Sequence, residues 1–458
     1  MNTSPDRDQV WEESRKRLIP GTVTGSLIEW YDIAIYGQAA ALVFGPLFFP
    51  EFSDTAGRVA SFATFGVGYF ARPLGAAIFG HVGDKYGRRA SLVGTLVLMG
   101  VATVIIGLLP TYGAIGIMAP ILLMICRLLQ GLGVGAEYVG AVTMVAEFAP
   151  AKRRGYYAAL PACGVFMGIG LAAAVSAAVA ALPEHHLMSW GWRVPFLLSF
   201  VVVGLGLLIR LRVPESPVFD EMKDARARTK VPALTMIKAM PQRLLLVMVA
   251  NSVLAFNIYV VQTFSLGYVA DKGVSKSTTL LALLVGCAAG AIAIPIVATI
   301  SDRSGRRPVY LGVAAFCAVV PLPFFWLLDT RNTALIVLAF ILAFGGCLAM
   351  FGSQAAYYAE LFPAAYRFSG FALGREIPGA VLSGPAPVIA VGLVSLGGDS
   401  PELLAGAMML VAVASFFAVL ALPETQGIDL DPITPADDES PDDQPEPPAA
   451  AQGRETLA

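Results

Sequence analysis

Apolar positions in this chain come in long unbroken blocks separated by short polar loops, not in the rhythm of one buried and one wetted face. A helix that is apolar all round is surrounded by protein or lipid rather than water. At 1.5 Å rise per residue, about 20 such residues cross a hydrocarbon core of roughly 30 Å. Twelve blocks meet that length: 20–46, 58–81, 90–109, 117–147, 156–182, 192–210, 244–268, 278–300, 308–328, 334–360, 370–396 and 401–422. With twelve spans, both chain ends and the loops after even-numbered spans share one side. Nearly all loop lysines and arginines fall there, against Arg58, Arg193, Lys272, Lys276 and Arg331 on the other side. The positive-inside rule predicts both termini in the cytoplasm, with the chain integral to the cytoplasmic (plasma) membrane.

The longest polar interruption, 211–243, divides the chain. The predicted organisation is an N-terminal segment 1–17, a six-helix bundle 18–210, a linker 211–243, a second bundle 244–422 and a tail 423–458. The halves repeat. GHVGDKYGRR (80–89) matches ATISDRSGRR (298–307), aligning Asp84 with Asp302. AEFAPAKRRG (146–155) matches AELFPAAYRFSG (359–370), aligning Glu147 with Glu360, and VPES (213–216) echoes LPET (422–425). Matches at similar offsets in equivalent loops mark a duplicated six-helix unit, with a site expected between the halves at mid-membrane. The tail after Leu430 is acidic and proline-rich, which predicts disorder, and it has no heptads for a coiled coil.

At 458 residues the chain could be three soluble domains, but it is 56% hydrophobic and only 14% charged. A soluble fold cannot hide that surface. The net charge of −2 offers no field for nucleic acid. Five cysteines in apolar stretches and three histidines, without metal-ligand spacing, predict no metal, no cofactor and no catalytic residues. The first apolar block is too long for a signal peptide and carries two acids, so it reads as the first span.

Charge inside a membrane is costly and marks candidate function. Glu29 and Asp32 lie three apart on one side of the first span, near the same depth as Arg127 in the fourth. An acid whose arginine partner comes and goes is a proton switch, whereas a permanent pair is helix packing. Glu137 follows Arg127 by close to three turns and shares its face if the helix is continuous. Arg72 precedes Pro73. It either holds a carboxylate or satisfies carbonyls that the proline frees. Arg375 and Glu376 in the eleventh span are a candidate carboxylate ligand and a second titrating group. Tyr36, Asn257, Tyr259, Gln262 and Gln354 complete the predicted substrate contacts, or serve as interhelical glue. The loops bearing Asp84, Arg88, Arg89 and Asp302, Arg306, Arg307 read as a cytoplasmic gate.

The Asp-Lys/Arg-x-Gly-Arg-Arg loops and RLLQGLGVG (127–135) resemble signatures of the major facilitator superfamily. IEWYDIAIYG (28–37), FATFGVGYFARPLG (62–75) and ESPVF (215–219) narrow the resemblance to its metabolite:proton symporters, which carry shikimate, α-ketoglutarate, citrate, or proline and betaine. SWGWRVPF (189–196) and ALVFGPLFFP (41–50) lean toward the shikimate-like branch. The resemblance implies an all-α membrane protein of twelve helices in two pseudo-symmetric bundles, working as a monomer by alternating access. It also implies that a helix-1 acid and helix-4 arginine serve proton coupling, as in sugar:proton symporters. Two departures touch the presumed cavity: Gly135-Ala136-Glu137-Tyr138-Val139-Gly140 replaces a Gly-Gly-Glu-Trp-Gly-Gly run, and Arg375-Glu376 replaces uncharged polar residues. The leading expectation is proton-coupled uptake of a small organic acid, the partners being that substrate, a proton and the bilayer. A zwitterionic osmolyte is the alternative. Export is less expected, because LPACGVFMGIG (160–170) lacks the Gly-Pro-x-x-Gly-Gly run of antiporters. A receptor lacks an output domain, and no enzyme motif appears.

Overall fold

A computed structural model of the chain describes residues 7–86, 88–134, 137–211, 232–364, 366–428 and 430, with the backbone alone at 7–10, 76–77, 80–86, 88–92, 209–211 and 232–235. Among the described residues the helices group into twelve spans. The first six are α1 (Arg7–Leu42), α2 (Asp54–Tyr86), α3 (Arg88–Leu108), α4 (Met118–Phe148), α5 (Arg154–Ala180) and α6 (Val194–Leu211). The second six are α7 (Pro241–Asp271), α8 (Lys276–Ser304), α9 (Arg306–Cys317 with Pro321–Asp329), α10 (Thr333–Glu360), α11 (Arg367–Ser383 with Ala386–Leu396) and α12 (Glu402–Ala421). The outward faces carry apolar side chains in the open, such as Phe200 at 73% exposure, Leu410 at 69% and Ile292 at 65%. The polar groups are inside. This inversion of a soluble protein is what lipid as solvent demands.

The halves repeat in packing as in sequence. α1 lies on α5 as α7 lies on α11, and α2 lies on α4 as α8 lies on α10. The α1–α5 seam is built on glycine. A side chain at Gly164 or Gly168 would run into the backbone carbonyl of Val23 or Leu27, so the helices approach at backbone distance. α5 also packs along α8 and α10, α1 along α7, and α2 along α11, and these seams form much of the interface between halves.

Several boundaries differ from those read in sequence. α1 starts at Arg7, so the polar segment 1–17 is mostly helix. Its Trp11 is buried against Val145 and Ala149. Eight residues of the linker form a short helix, Pro232–Ala239, whose Met236 is buried, and α7 begins inside the linker at Pro241. Residues 423–428, placed in the tail by composition, are built into the body: Thr425 Oγ1 donates to Glu360 Oε2 at 2.8 Å, and Arg154 donates to the Ile428 carbonyl at 2.7 Å. The acidic stretch beyond 430 lies outside the described residues. α4 is not continuous. Its first segment ends at Gly133, and Val134 is extended with φ −102° and ψ 133°. A new segment begins at Glu137.

Candidate functional site

Asp32 is buried within the first half, not in the seam between halves. Ser199 of α6 donates to its Oδ1 at 2.7 Å and Thr103 of α3 to its Oδ2 at 3.0 Å. The expected Asp32–Arg127 ion pair does not form among the described residues. Arg127 instead donates Nε to the Phe65 carbonyl at 3.2 Å and NH1 to Gln130 Oε1 at 3.2 Å. Its guanidinium sits 4.5 Å from the Tyr36 ring centre and 4.7 Å from that of Phe65. Gly68 makes room for it, since a Cβ there would stand 2.7 Å from Arg127 Nε. Tyr36 is held by a 2.7 Å hydrogen bond to Thr64. Glu29, three residues from Asp32, is buried within electrostatic reach of Arg72 and Tyr138. The two acids therefore have different surroundings, as the roughly 60° between positions i and i+3 allows.

The seam between halves gathers the other candidates. Arg72 pairs with Glu376 across it at 3.5 Å and lies 4.0 Å over the Tyr69 ring. Arg72 thus has a carboxylate partner 304 residues away in the chain. Tyr69 hydrogen-bonds Tyr259, which stacks on Trp30 at 6.2 Å and meets Phe65 at 5.3 Å. Arg375 lies 3.9 Å over the ring of Tyr138, which also meets Phe351. Its NH1 is buried without a hydrogen-bond partner among the described residues. Both amide atoms of Gln262 and Oδ1 of Asn257 share that condition. Gln354 is engaged, donating to Asn251 Oδ1 at 2.8 Å. Glu137 opens the second segment of α4, and the break at Val134 removes the continuous-helix reason for placing it on the face of Arg127. Gln262 falls in a π-helical turn, Val260–Phe264, and further π turns occupy Leu342–Cys347 and Gly379–Ser383. Such turns recur at functional sites because the wider turn re-aims side chains.

The gate candidates divide. The side chains of Asp84, Arg88 and Arg89 lie outside the described residues. Asp302 reaches across the halves: its carboxylate accepts the backbone N–H of Gly155 and of Tyr156, both at 2.8 Å, at the start of α5. An acid on a helix N-terminus is favoured by the dipole and by the unpaired amides there. Arg306 stays in its own half and orients the acids, bonding Asp302 at 2.7 Å and Glu360 at 3.0 Å. Arg307 does not face the other half. It donates to the last carbonyls of α12, at Val419 and Leu420.

Further cross-half ties on this face come from residues read only as repeat markers or loop charge. Arg154 pairs with Glu360 at 3.3 Å, and Arg367 pairs with Glu147 at 2.9 Å. Arg154 Nε also donates to the Ala146 carbonyl, and Arg367 Nε to that of Ala359. The four side chains form one motif used twice, each arginine gripping the glutamate of the other half. Alignment of Arg154 with Arg367 at the Glu147–Glu360 offset was available in the sequence as a signal. On the opposite face Arg58 pairs with Asp271, and Gly66 lies against Gly384 so closely that a Cβ would stand 3.0 Å from its carbonyl oxygen. The halves are in contact at both faces.

Two duplicated helical bundles, apolar on their outward faces and meeting on buried charge, have the architecture of a membrane transporter. The chain belongs to the Major Facilitator Superfamily, whose family description matches residues 33–377. It is 33% identical over 436 residues to the shikimate transporter of Escherichia coli (strain K12), covering 93% of this chain and 98% of that one. It is also 33% identical over 442 residues to the proline/betaine transporter of the same organism, covering 92% and 86%. Among solved structures it is similar to a xylose transporter from Escherichia coli in a partially occluded inward-open conformation, with TM-score 0.71, 19% identity and coverage of 90% and 99%. The chain is a metabolite transporter with the twelve-helix major facilitator fold, and not an enzyme.

Proposed function

We propose that the chain is a proton symporter that takes up a small organic acid carrying a single carboxylate, with both termini and the 211–243 linker in the cytoplasm. The carrying observation is the state of the three seam-side arginines. Arg72 is matched to Glu376, and Arg127 to Gln130 and a carbonyl. Arg375 lies on an aromatic face with NH1 unbonded among the described residues. One cation with spare donor capacity fits one carboxylate, held edge-on by the guanidinium fork. The rings of Trp30, Tyr138, Tyr259 and Phe351, with the amides of Gln262 and Asn257, fit a compact body bearing hydroxyls or a ring. Asp32 is the proposed proton carrier, with Glu29 the other candidate. Asp302, Arg306 and the paired Glu147–Arg367 and Glu360–Arg154 contacts form the proposed cytoplasmic gate. The transporter acts as a monomer.

A zwitterion is the second reading, because the proline/betaine transporter is as similar to this chain as the shikimate transporter. A thermal-shift screen of purified protein separates the two. Stabilisation grows as RT ln(1 + [L]/Kd), so a substrate shows saturable dependence. Stabilisation by a monocarboxylic acid such as shikimate, and none by betaine or proline, is expected; the reverse pattern replaces the acid reading. Vesicles with an imposed proton gradient then test coupling. Asp32→Asn is expected to abolish accumulation against a gradient while leaving exchange intact. Normal accumulation by Asp32→Asn, Glu29→Gln and the double variant overturns the assignment. Cysteines replacing Ala225 and Ser440 are expected to resist an impermeant external label; labelling of either reverses the orientation.

A further inference from the structure

The acid and the arginine that sequence pairs are joined by two uncharged side chains. Thr103 Oγ1 lies 3.0 Å from Asp32 Oδ2 and 2.9 Å from the Met99 carbonyl oxygen. It accepts from Gln130 Nε2 at 2.7 Å, and Gln130 Oε1 accepts from Arg127 NH1 at 3.2 Å. Asp32, Thr103, Gln130 and Arg127 are all buried, at 1%, 0%, 2% and 4% exposure. We infer that Thr103 and Gln130 are positioning residues that read whether Asp32 carries a proton and transmit that state to Arg127. The inference rests on Asp32 as the proton carrier proposed above.

A threonine hydroxyl has one hydrogen and two lone pairs. Two acceptors lie within its reach, so it serves one at a time. When Asp32 is ionised the hydroxyl donates to the carboxylate, because a charge-assisted bond is roughly twice as strong as a neutral one. When a proton from water binds Asp32 Oδ2, that oxygen becomes a donor and Thr103 Oγ1 must accept from it. The hydroxyl then turns to the Met99 carbonyl, its other acceptor among the described residues. Oγ1 now accepts from both Asp32 and Gln130, one donor on each lone pair, and its hydrogen no longer points at a charge that polarises the oxygen toward Gln130. The bond to Gln130 weakens, and the grip of Gln130 on Arg127 weakens with it. The proton stays on Asp32 throughout and leaves by the same carboxylate; Thr103 keeps its own hydrogen. Arg127 carries the change outward, since it lies on Tyr36 and Phe65, and Phe65 touches Tyr259 of the other half.

The charged and titratable surroundings of Asp32 leave room for such a reader. α6 presents Ser199 and α3 presents Thr103, both neutral. α4 presents Arg127, whose field reaches the carboxylate without contact. α5 meets Tyr31 through Gly168, which brings no charge. On α1 itself are Tyr31, which donates to the Pro195 carbonyl at 2.8 Å, and Glu29 within a turn.

The test is infrared difference spectroscopy of the full chain in lipid, titrated with pH and labelled with guanidino-13C arginine, so no substrate is needed. The unmodified chain is expected to show a protonated-carboxyl band, absent in Asp32→Asn, that rises as pH falls. A guanidinium change, absent in Arg127→Gln, is expected to titrate with it. Thr103→Val removes the hydroxyl at nearly constant shape. It is expected to keep the carboxyl band and lose the guanidinium response, and Thr103→Ser to restore that response. Gln130→Met is expected to match Thr103→Val, and it carries the test alone if the valine variant does not fold. A guanidinium response undiminished in Thr103→Val or in Gln130→Met overturns the inference while leaving the proton carrier in place. Absence of any Asp32-dependent band in the unmodified chain sinks the carrier assignment, and the inference with it.

Discussion

Arg375 lies within α11, where an unmatched cation is costly, yet it rests on the rings of Tyr138 and Phe351 with its NH1 unbonded among the described residues. A bound carboxylate is the group that such a donor lacks. Hydrogen bonds to charged groups contribute about 1.5–3 kcal/mol, so Arg375→Gln is expected to weaken an acid ligand by roughly 10- to 150-fold. Unchanged affinity by calorimetry moves the carboxylate site elsewhere. Glu424 shows a different use of charge, outside the spans. Burial pushes its carboxyl up, but the backbone N–H groups of Arg306, Gln426, Arg307 and Thr425 outweigh that and hold it below the usual carboxylate range. Gly305 permits this clasp: its φ of 101° suits glycine, and a Cβ there would stand 2.7 Å from Glu424 Oε2. A group whose carboxyl is depressed on folding contributes stability above its unfolded value, and that contribution fades as pH falls through the folded value. Glu424→Gln is therefore expected to lower the melting temperature at neutral pH. The difference from the unmodified chain should vanish in acid below the depressed range. Equal melting temperatures at neutral pH would refute the clasp.

At the level of elements, the departures from regular helix gather where the halves meet. α4 breaks at Val134 between Arg127 and Tyr138, so the two residues can face different neighbours. α7, α10 and α11 each hold a π turn among the described residues, and that of α7 brings Thr263 against α1. Glycine does the same work on the far face, where the α2 and α11 backbones touch at Gly66 and Gly384. A side chain at position 66 cannot be accommodated by moving another side chain, because the obstacle is backbone. Gly66→Val is expected to hold that face apart. In a background without other reactive cysteines, Thr263→Cys should then label faster from outside; an unaltered rate would show that the face does not close through this contact.

Across the whole molecule, closure of the linker face depends on charges that cross between halves. Glu360 is buried and bonded by Arg154, Arg306 and Thr425. Removing one partner of a buried, networked pair costs about 3–5 kcal/mol because the other charge is left uncompensated. Glu360→Gln is expected to open the linker face, read as faster labelling of a cysteine replacing Tyr156. The Glu147–Arg367 pair is half-exposed on its acidic side, with Glu147 at 42%. Glu147→Gln is therefore expected to open that face less than Glu360→Gln does. If the two variants label alike, the burial of Glu360 is not what sets its weight in closure.

Sequence alone determined the bilayer as solvent, the twelve spans and the duplication, because these depend on the length and repetition of apolar blocks and on nothing distant in the chain. It also marked which buried charges require explanation, since the cost of charge in lipid is local to each residue. It did not determine their partners. Asp32 and Arg127 read in the sequence as a direct pair, but helix rotation and the polar lining of α3, α4 and α6 decide that Thr103, Ser199 and Gln130 stand between and beside them. Arg72 meets Glu376 because two bundles dock, a contact between residues 304 apart that no local pattern encodes. The gate shows the boundary most clearly. The repeat identifies Glu147 and Glu360 as equivalent positions, whereas the tertiary structure makes each the ligand of the other half's arginine. Pairing across an interface depends on the orientation of two rigid bodies, and that orientation is a property of the packed chain.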